Sequence, residues 1–462
     1  MSRSSKRDLC QGPILSGMFM YALPLIATGI LQTLYNSADT IVIGQFAGDE
    51  SLAAVTSTAA FINLLVNLFM GLSTGILTVV ARHIGAKHSH DIQKSVHTAI
   101  PLALICGVFL LLVGFLTAHP ILKLMGTGGD SVAVFDKAVL YTRIYFLGVP
   151  GFLLYNFGAS ILRAAGDTKH PLFYLTFSGI LNVLLNLLLV VVFHMDVAGV
   201  AIATIASQYV SALLVLRRLM HETGDIHFSF SQMCIDRRQL KEMLRIGLPS
   251  GINSSMFSIA NVVLRSTINT FDYLHVAGAG AAGQLENLLY TVISGYYTTT
   301  LAFTSQNFGA KQVDRIRKVL YRGHLLNVGT CAVLCPLLLL FSRPLLGLFT
   351  ADPVAIEAGR QSMFILMGFV VIDGAMNIQV GHLRGLGYSF IPMINSMVGA
   401  CVLRMLWLIF VFPVLGSTWI ALYLCYPVTW SITFLAHLAY TAYADRILKK
   451  LSTPKEDTVK TL

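Results

Sequence analysis

Charge is scarce in this chain. Only 12% of its 462 residues are Asp, Glu, Lys or Arg, against roughly 25% in an ordinary soluble domain, while 55% are hydrophobic. So many apolar residues cannot be hidden inside one soluble core, and they form separated runs of roughly 20 or more, each long enough to cross a hydrocarbon layer. The composition excludes a soluble globular protein and predicts a polytopic membrane protein.

The signals of an enzyme or a metal protein are also missing. There is no phosphate-binding glycine loop and no nucleophile constellation, which argues against an ATP-driven pump or an enzyme. Five of the seven cysteines lie in apolar runs, where cysteine is usually a small hydrophobe. The histidines near the end of the second run follow no zinc-binding spacing: His83, His88, His90 and His97. We therefore expect no cofactor and no metal beyond a transported Na⁺.

Twelve apolar runs can be counted along the sequence. Each should be a helix, because a lone strand cannot satisfy its backbone in lipid. The runs lie near residues 14–46, 52–81, 96–118, 139–162, 172–195, 197–216, 246–271, 274–304, 324–342, 359–383, 390–415 and 417–442.

Lys and Arg are distributed unevenly between these runs. If the N-terminus is cytoplasmic, 25 of the 32 basic residues lie on the cytoplasmic side, and only Lys123, Lys137 and Arg343 lie outside. This bias is the positive-inside rule, so the net charge of +10 indicates topology and no nucleic-acid partner. We expect a multi-pass protein of the inner or plasma membrane with both termini in the cytoplasm.

The chain also repeats itself. "YALPLIA" around Pro24 recurs as "IGLPSGI" around Pro249, and Gly85-Ala86-Lys87 recurs as Gly309-Ala310-Lys311, at offsets of 225 and 224 residues. "RAAGDTKHP" recurs as "RGLGYSFIP", and Ile202-Ala203 as Ile420-Ala421, in the same order. Six helices per repeat is an even number, so the halves should be parallel repeats. We predict an N-lobe at 1–216, a cytoplasmic linker at 217–245 and a C-lobe at 246–462, around a central cavity that works by alternating access.

The landmarks resemble those of the multidrug and toxic compound extrusion (MATE) family over roughly residues 12–445. The resemblance rests on "LP" in the first run followed by "YNSADTIVIGQFAG", then "VVARHIGAK", "ILRAAGDTKHP", "AGVAIATIAS", "FTSQNFGAK" and "GHLRGLG". It implies an all-α fold of twelve transmembrane helices. It also implies a secondary antiporter that expels small amphipathic, often cationic compounds by using a Na⁺ or H⁺ gradient.

Three acidic residues lie inside apolar runs: Asp39, Glu286 and Asp373. Ionisable groups in the hydrocarbon are costly and are functional by default. Asp39 lies 23 residues after Ser16, about 35 Å along a helix, which places it toward the external side. Two further polar groups, Asn182 and Asn186, are spaced i, i+4.

Together with Thr204, these side chains could meet in the outer half of the N-lobe. The structural alternative for the two Asn is hydrogen bonding between helices. The N-lobe cation site of the resembling family has Asp39, Asn182 and Thr204 at matching positions. We expect the first helix to bend at Pro24 when Asp39 is protonated. Asn186 departs from the pattern, because many members carry a second Asp there. One formal negative charge favours H⁺ over Na⁺ as the coupling ion.

In the C-lobe, Asp373 matches the tenth-helix carboxylate described for the NorM-like branch. The seventh-helix carboxylate of that branch is replaced by Phe257, and Glu286 in the eighth run compensates in part. Arg404 is the expected partner of one of these acids, and Arg265 is a candidate partner for Asp272.

Two other functions compete with drug efflux. A lipid-linked oligosaccharide flippase of the same superfamily needs cations for a pyrophosphate, which Arg265 and Arg404 would supply, but such a protein often carries two additional helices. A carrier of the major facilitator type usually has a glycine–aspartate–arginine motif after its second helix, and "ARHIGAK" lacks it. We expect the antiporter to be a monomer in the lipid bilayer.

Overall fold

A computed structural model describes residues 7–129 and 131–452. Over these residues, the chain forms helices and no strands. The long helices are α1 (Ile14–Phe46), α2 (Asp49–Ala86), α3 (Ser89–Leu124), α4 (Val132–Ala164), α5 (Lys169–Asn186), α6 (Asp196–Met220), α7 (Arg237–Ile268), α8 (Tyr273–Gly309), α9 (Val313–Leu340), α10 (Pro353–Gly385), α11 (Phe390–Val414) and α12 (Trp419–Tyr423 with Cys425–Ser452). A short helix at Ser342–Leu346 and a 3₁₀ turn at Phe230–Gln232 lie between them.

These twelve helices confirm the twelve predicted spans. Among the described residues, ten of them are long and apolar enough by themselves to cross a membrane. The other two, α7 and α8, have 32 and 37 residues but are more polar. Most helices begin or end several residues beyond the apolar runs, because the apolar pattern stops where polar residues continue the helix into the interface.

The chain divides into two compact units. One contains residues 7–8, 21–84 and 88–259, and the other contains residues 9–20, 85–87 and 260–452. The first unit thus includes most of α1 and the first part of α7, and the second begins within α7 at residue 260. The lobe boundaries drawn at 216 and 246 stay a prediction.

The internal repeat is visible in the backbone. Lys87 and Lys311 both have a left-handed conformation, with φ of 57° and 56°, and Gly166 and Gly387 have φ of 84° and 91°. Each pair lies at the offset found in the sequence. Directly after α5, a π-helical segment continues the span at Leu187–Val192, and α11 contains π-helical segments at Val398–Val402 and Trp407–Val411. The two halves therefore share their exceptional conformations as well as their motifs.

Small residues allow helices of the second unit to pack closely. A Cβ added to Gly278 in α8 would lie 2.3 Å from the carbonyl oxygen of Ala355 in α10, which is closer than such atoms can approach. Nearby, the Trp419 indole N–H donates a hydrogen bond of 3.0 Å to the carbonyl of Ala358. In lipid the hydrophobic effect contributes little to helix association, so close packing of the helix backbones stabilises this contact instead.

Candidate functional site

Asp39 of α1 lies at a junction with α5 and α6, inside the first unit. The Asn186 side-chain amide donates a hydrogen bond to Oδ1 of Asp39. The Thr204 hydroxyl lies 3.4 Å from Oδ2. The two oxygens of the carboxylate therefore face two different helices, and the Asp39 side chain connects α1 with both α5 and α6.

The remaining contacts close this group into a network. The Asn186 amide also lies 3.3 Å from Oδ1 of Asn182, and the Asn182 amide lies 3.5 Å from the Thr204 hydroxyl. Thr204 makes its shorter bond, 2.9 Å, to the carbonyl of Val200, so its contact with Asp39 is the weaker one. The structure brings together all four side chains that the sequence proposed for the N-lobe.

The face of α5 explains why the two amides reach Asp39. Ser178, Asn182 and Asn186 recur every fourth residue and are all buried, so they form one polar stripe. The π-helical segment begins directly after Asn186. Such a segment inserts one residue per turn and often occurs at functional sites.

Two tyrosines of α1 fix the position of this helix, and with it Asp39, relative to α4 and α5. The Tyr35 hydroxyl donates a 2.7 Å bond to the carbonyl of Leu175 in α5, and the Tyr21 hydroxyl donates a 2.8 Å bond to the carbonyl of Arg163 in α4. Between them lies Pro24, which is inside a continuous α1. Pro24 has no backbone N–H, so α1 lacks one of its ladder bonds there.

Three residues near Asp39 were missed in the sequence. Tyr141 and Tyr145 of α4 are close enough to interact electrostatically with Asp39. Gln208 follows Thr204 by one turn of α6 and lies beside Gly148, where an added Cβ would be 2.5 Å from Oε1 of Gln208. The i, i+4 spacing of Thr204 and Gln208 could have indicated the glutamine, whereas tyrosines in an apolar run give no such signal.

In the second unit, Asp373 of α10 is buried, with 8% of its surface exposed. The Asn377 side-chain amide donates to both the carbonyl and Oδ1 of Asp373, at 2.9 and 3.2 Å. The carboxylate is therefore anchored mainly within its own helix, in contrast to Asp39.

Arg404 and Glu286 lie near Asp373 without forming a close ion pair. Arg404 is buried, and its guanidinium stacks on the Tyr426 ring at 4.4 Å from the centroid. It interacts electrostatically with both acids, but among the described residues it has no carboxylate oxygen within 4 Å. Glu286 is half-buried. The structure thus brings together two acids and one arginine, as the sequence proposed. Arg404 attracts the two carboxylates from beyond the 4 Å distance of an ion pair.

Arg265 does not make the pairing considered for it. Its side chain is exposed, and within the described chain it forms no ion pair. Asp272 instead caps α8 by accepting from the backbone N–H groups of Leu274 and His275, and it contacts the His275 ring at 2.8 Å. The His275 contact is the main cause that holds the pKa of Asp272 below its ordinary value.

The two acidic groups have the chemistry of ion and proton sites. Within residues 7–129 and 131–452, no cluster of three or more His, Cys, Asp or Glu suits a metal ion. The Asp39 group offers carboxylate, amide and hydroxyl oxygens, which suit a hard monovalent cation or a proton. Asp39 also connects helices directly, so a change in its charge alters contacts between them.

Comparisons with known proteins agree on one family. A family model described as MatE matches residues 24–188 and 249–409, more than half of the chain. A Bacillus subtilis protein named probable multidrug resistance protein YoeA is 25% identical over 386 residues, which cover 82% of this chain and 83% of that protein. A Shewanella oneidensis protein named FAD transporter is 27% identical over 472 aligned positions, covering 98% and 99%. These names do not favour a flippase.

A solved structure shows the same fold. A crystal structure described as MATE in the bent conformation superposes with a TM-score of 0.87 over 96% of this chain and 98% of that one, at 23% sequence identity. The match covers both halves, so the twelve-helix architecture extends over the whole chain.

Proposed function

Because the chain belongs to the MatE family of multi-pass membrane transporters, we propose that it is a secondary antiporter that expels amphipathic, often cationic toxic compounds in exchange for protons. The observation that carries this proposal is the Asp39 group. A single intramembrane carboxylate accepts a hydrogen bond from Asn186 of α5 and lies 3.4 Å from the Thr204 hydroxyl of α6. A coupling group needs such a position, because its charge state must alter the contacts between helices.

The way Asp39 is bound supports H⁺ over Na⁺. Sodium requires several oxygen ligands that point at one position and benefits from more than one negative charge. Here the Asn186 amide N–H group faces both Oδ1 of Asp39 and Oδ1 of Asn182, so donors occupy the oxygens that a cation would need. With Asn at position 186, the group carries one formal charge, which one proton neutralises.

Asn186 can serve both protonation states of Asp39. Its carbonyl oxygen is buried and has no hydrogen-bond partner among the described residues, although a buried acceptor normally has one. When Asp39 is ionised, the Asn186 N–H donates to it. When Asp39 is protonated, rotation of the amide by half a turn presents the carbonyl oxygen to the acid proton, but it also turns that oxygen toward Oδ1 of Asn182 and removes the Asn186–Asn182 hydrogen bond. Protonation of Asp39 would therefore rearrange the hydrogen bonds of the whole group.

Protonation would weaken the attachment of α1. A neutral carboxyl group accepts weaker hydrogen bonds than a carboxylate, so protonated Asp39 exchanges a charge-assisted hydrogen bond to α5 for a neutral one, and its contact with Thr204 of α6 weakens. The missing ladder bond at Pro24 gives α1 a place to bend in response. We propose that this bend converts proton binding into substrate release, so that substrate and proton favour different states of the first unit.

The proposed substrate class is inferred mainly from the names of the relatives. Several are named for multidrug resistance or export, and one for FAD transport. The buried Arg404 has Glu286 and Asp373 near it, so the second unit has no excess of buried cations in this group for a phosphate. This balance favours amphipathic cations over an anionic dinucleotide.

The test is transport by the purified protein in proteoliposomes. A pH gradient imposed without sodium should drive ethidium movement, and a sodium gradient at equal pH on both sides should not. FAD is assayed in parallel as the competing substrate. Ethidium movement driven only by sodium would refute proton coupling, and movement of FAD but not ethidium would refute the substrate class.

A further inference from the structure

A basic concavity of about 900 Å³ lies at the start of α9, within the second unit. Four cations line it: Lys311, Arg315, Lys318 and Arg322. Lys311 precedes α9, whereas Arg315, Lys318 and Arg322 are spaced 3 and 4 residues apart within it and form one stripe on the helix. Asp314 is the one acidic residue in the lining, which leaves a net charge of about three positive units.

The four cations are not equally engaged. Arg315 donates hydrogen bonds of 3.0 and 2.8 Å to the carbonyls of Gly12 and Gln11, and so holds the segment before α1 as one wall. Lys311, Lys318 and Arg322 are exposed and have no ion pair within 4 Å in the part of the chain described. By contrast, Arg317 on another face of α9 lies 3.7 Å from Asp445. Three cations therefore remain available to a ligand.

The first repeat lacks this stripe. At the offset of 224 residues, the corresponding positions are Lys87, Asp91, Lys94 and Thr98. Asp91 carries the opposite charge, and Lys94 is neutralised by Asp236 at 3.2 Å. The positive-inside rule explains why cations occur in this loop, but it does not require them to line a concavity in one repeat only. The basic concavity is therefore specific to the second repeat.

The height of the stripe matches lipid headgroups. α9 has 28 residues, or about 42 Å of helix, whereas the hydrocarbon layer is about 30 Å thick. The charged residues of α9 all lie between Asp314 and Arg322, so the excess length is expected at this end, and the first two turns would extend into the headgroup region. Apolar residues continue the same face of α9 toward its other end, including Leu325 and Val333, which are 49% and 59% exposed. On α1, exposed Leu15 and Phe19 continue from the wall of the concavity.

We propose that this concavity binds the headgroup of an anionic phospholipid, with the acyl chains lying along the exposed apolar face of α9. A soluble anion would use the cations but not the apolar face that continues from them. Lys311, Lys318 and Arg322 contact the phosphate, and Arg315 positions the wall formed by residues 11–12. A bound lipid then connects the start of α9 to the segment that precedes α1.

The test uses the purified full-length chain in detergent and short-chain lipids. Binding of dioctanoyl phosphatidylglycerol, dioctanoyl phosphatidylcholine and glycerol phosphate is measured by native mass spectrometry and by the rise in unfolding temperature. Lys318→Gln/Arg322→Gln removes two cations and spares Arg315. Lys87→Gln/Arg217→Gln removes two exposed cations elsewhere and is the matched control.

We expect phosphatidylglycerol to bind most tightly and the first double variant to bind it about 30-fold more weakly, since each cation near an anionic headgroup contributes about a factor of five. The control variant should bind like the unmodified chain, and unfolding temperatures without lipid should agree among all three. Equal binding of glycerol phosphate would show a soluble-anion site and overturn the proposal. Unchanged phosphatidylglycerol binding by Lys318→Gln/Arg322→Gln, or equal loss in the control, would overturn it as well.

Discussion

The Tyr35 ring of α1 lies directly on Gly179 of α5. A Cβ built on Gly179 would be 1.7 Å from the ring carbon that bears the hydroxyl, so only glycine fits there. The same hydroxyl donates to the carbonyl of Leu175, one turn earlier in α5. This contact keeps α1 against α5 one turn away from the Asp39–Asn186 hydrogen bond.

Gly179→Ala should therefore destabilise the protein by about 1–3 kcal/mol, the usual effect of overpacking. The Tyr35 ring cannot move aside without losing the hydrogen bond of its hydroxyl, and α5 is held in place by the helices packed against it. Thermal unfolding in detergent measures the change. Gly280→Ala in α8 is the control, since a Cβ there meets nothing within 4 Å, and it should be neutral or slightly stabilising. Equal unfolding temperatures for Gly179→Ala and the unmodified chain would contradict the close packing.

Asp39→Asn should abolish gradient-driven efflux and leave folding largely intact, because the amide mimics the protonated acid and cannot release a proton. Ethidium uptake into inside-out vesicles, reduced to background, is the expected result. Asp49→Asn removes an exposed carboxylate at the start of α2 and should leave efflux unchanged. Normal efflux by Asp39→Asn would exclude Asp39 as the coupling group.

Asn186→Asp should make efflux depend on sodium. The substitution adds a second negative charge beside Asp39 and replaces an N–H donor with oxygen ligands, which together suit Na⁺. The measurement is ethidium transport in proteoliposomes with a sodium gradient or a pH gradient. Asn261→Asp places a carboxylate at an exposed position of α7 and is the control. If Asn186→Asp keeps pure proton coupling, the charge count does not select the ion.

Asp373→Asn should weaken efflux, and Glu286→Gln should do so only if that half-buried acid faces the substrate cavity. Arg404 would be left with one acid instead of two in either variant, so unfolding temperature is recorded beside efflux. A drop in efflux without a change in unfolding temperature indicates coupling. If the double variant exports ethidium at the normal rate, the two acids serve stability alone.

Reporter fusions test the predicted topology. Fusions after Ala47, Lys123, Asp196, Tyr273 and Ala351 should report the outside, because the loops there carry few basic residues. Fusions after Lys87, Asp167, Cys234 and Lys311 should report the cytoplasm. A linker at 217–245 found outside would reverse this assignment.

The sequence predicted the helices well because lipid permits few alternatives. Apolar runs of this length have to be helices, and repeated motifs imply repeated structure. The N-lobe group was predictable for a related reason: polar side chains are so rare in these runs that Asp39, Asn182, Asn186 and Thr204 stand out, and each had a partner in reach.

Details that depend on packing were not accessible from the sequence. Nothing in the sequence shows that Tyr35 rests on Gly179, since glycine and tyrosine are both common in such helices. The spacing could not show that Asp272 caps α8 instead of pairing with Arg265, because capping is a matter of local geometry. The sequence also could not show that the boundary between the two compact units falls within α7, because this depends on which helices pack against each part of it.

The π-helical segment after Asn186 has a consequence for how α5 can move. A helix with one surplus residue can pass that surplus along its length, exchanging hydrogen bonds one at a time while the number of bonds stays nearly constant. Each step turns the residues it passes by about 100° without unwinding the helix. Asn186 stands at the edge of this segment, so a shift by a single residue would swing its amide away from Asp39. The equivalent segment in α11 gives the second repeat the same low-cost rotation, next to Arg404.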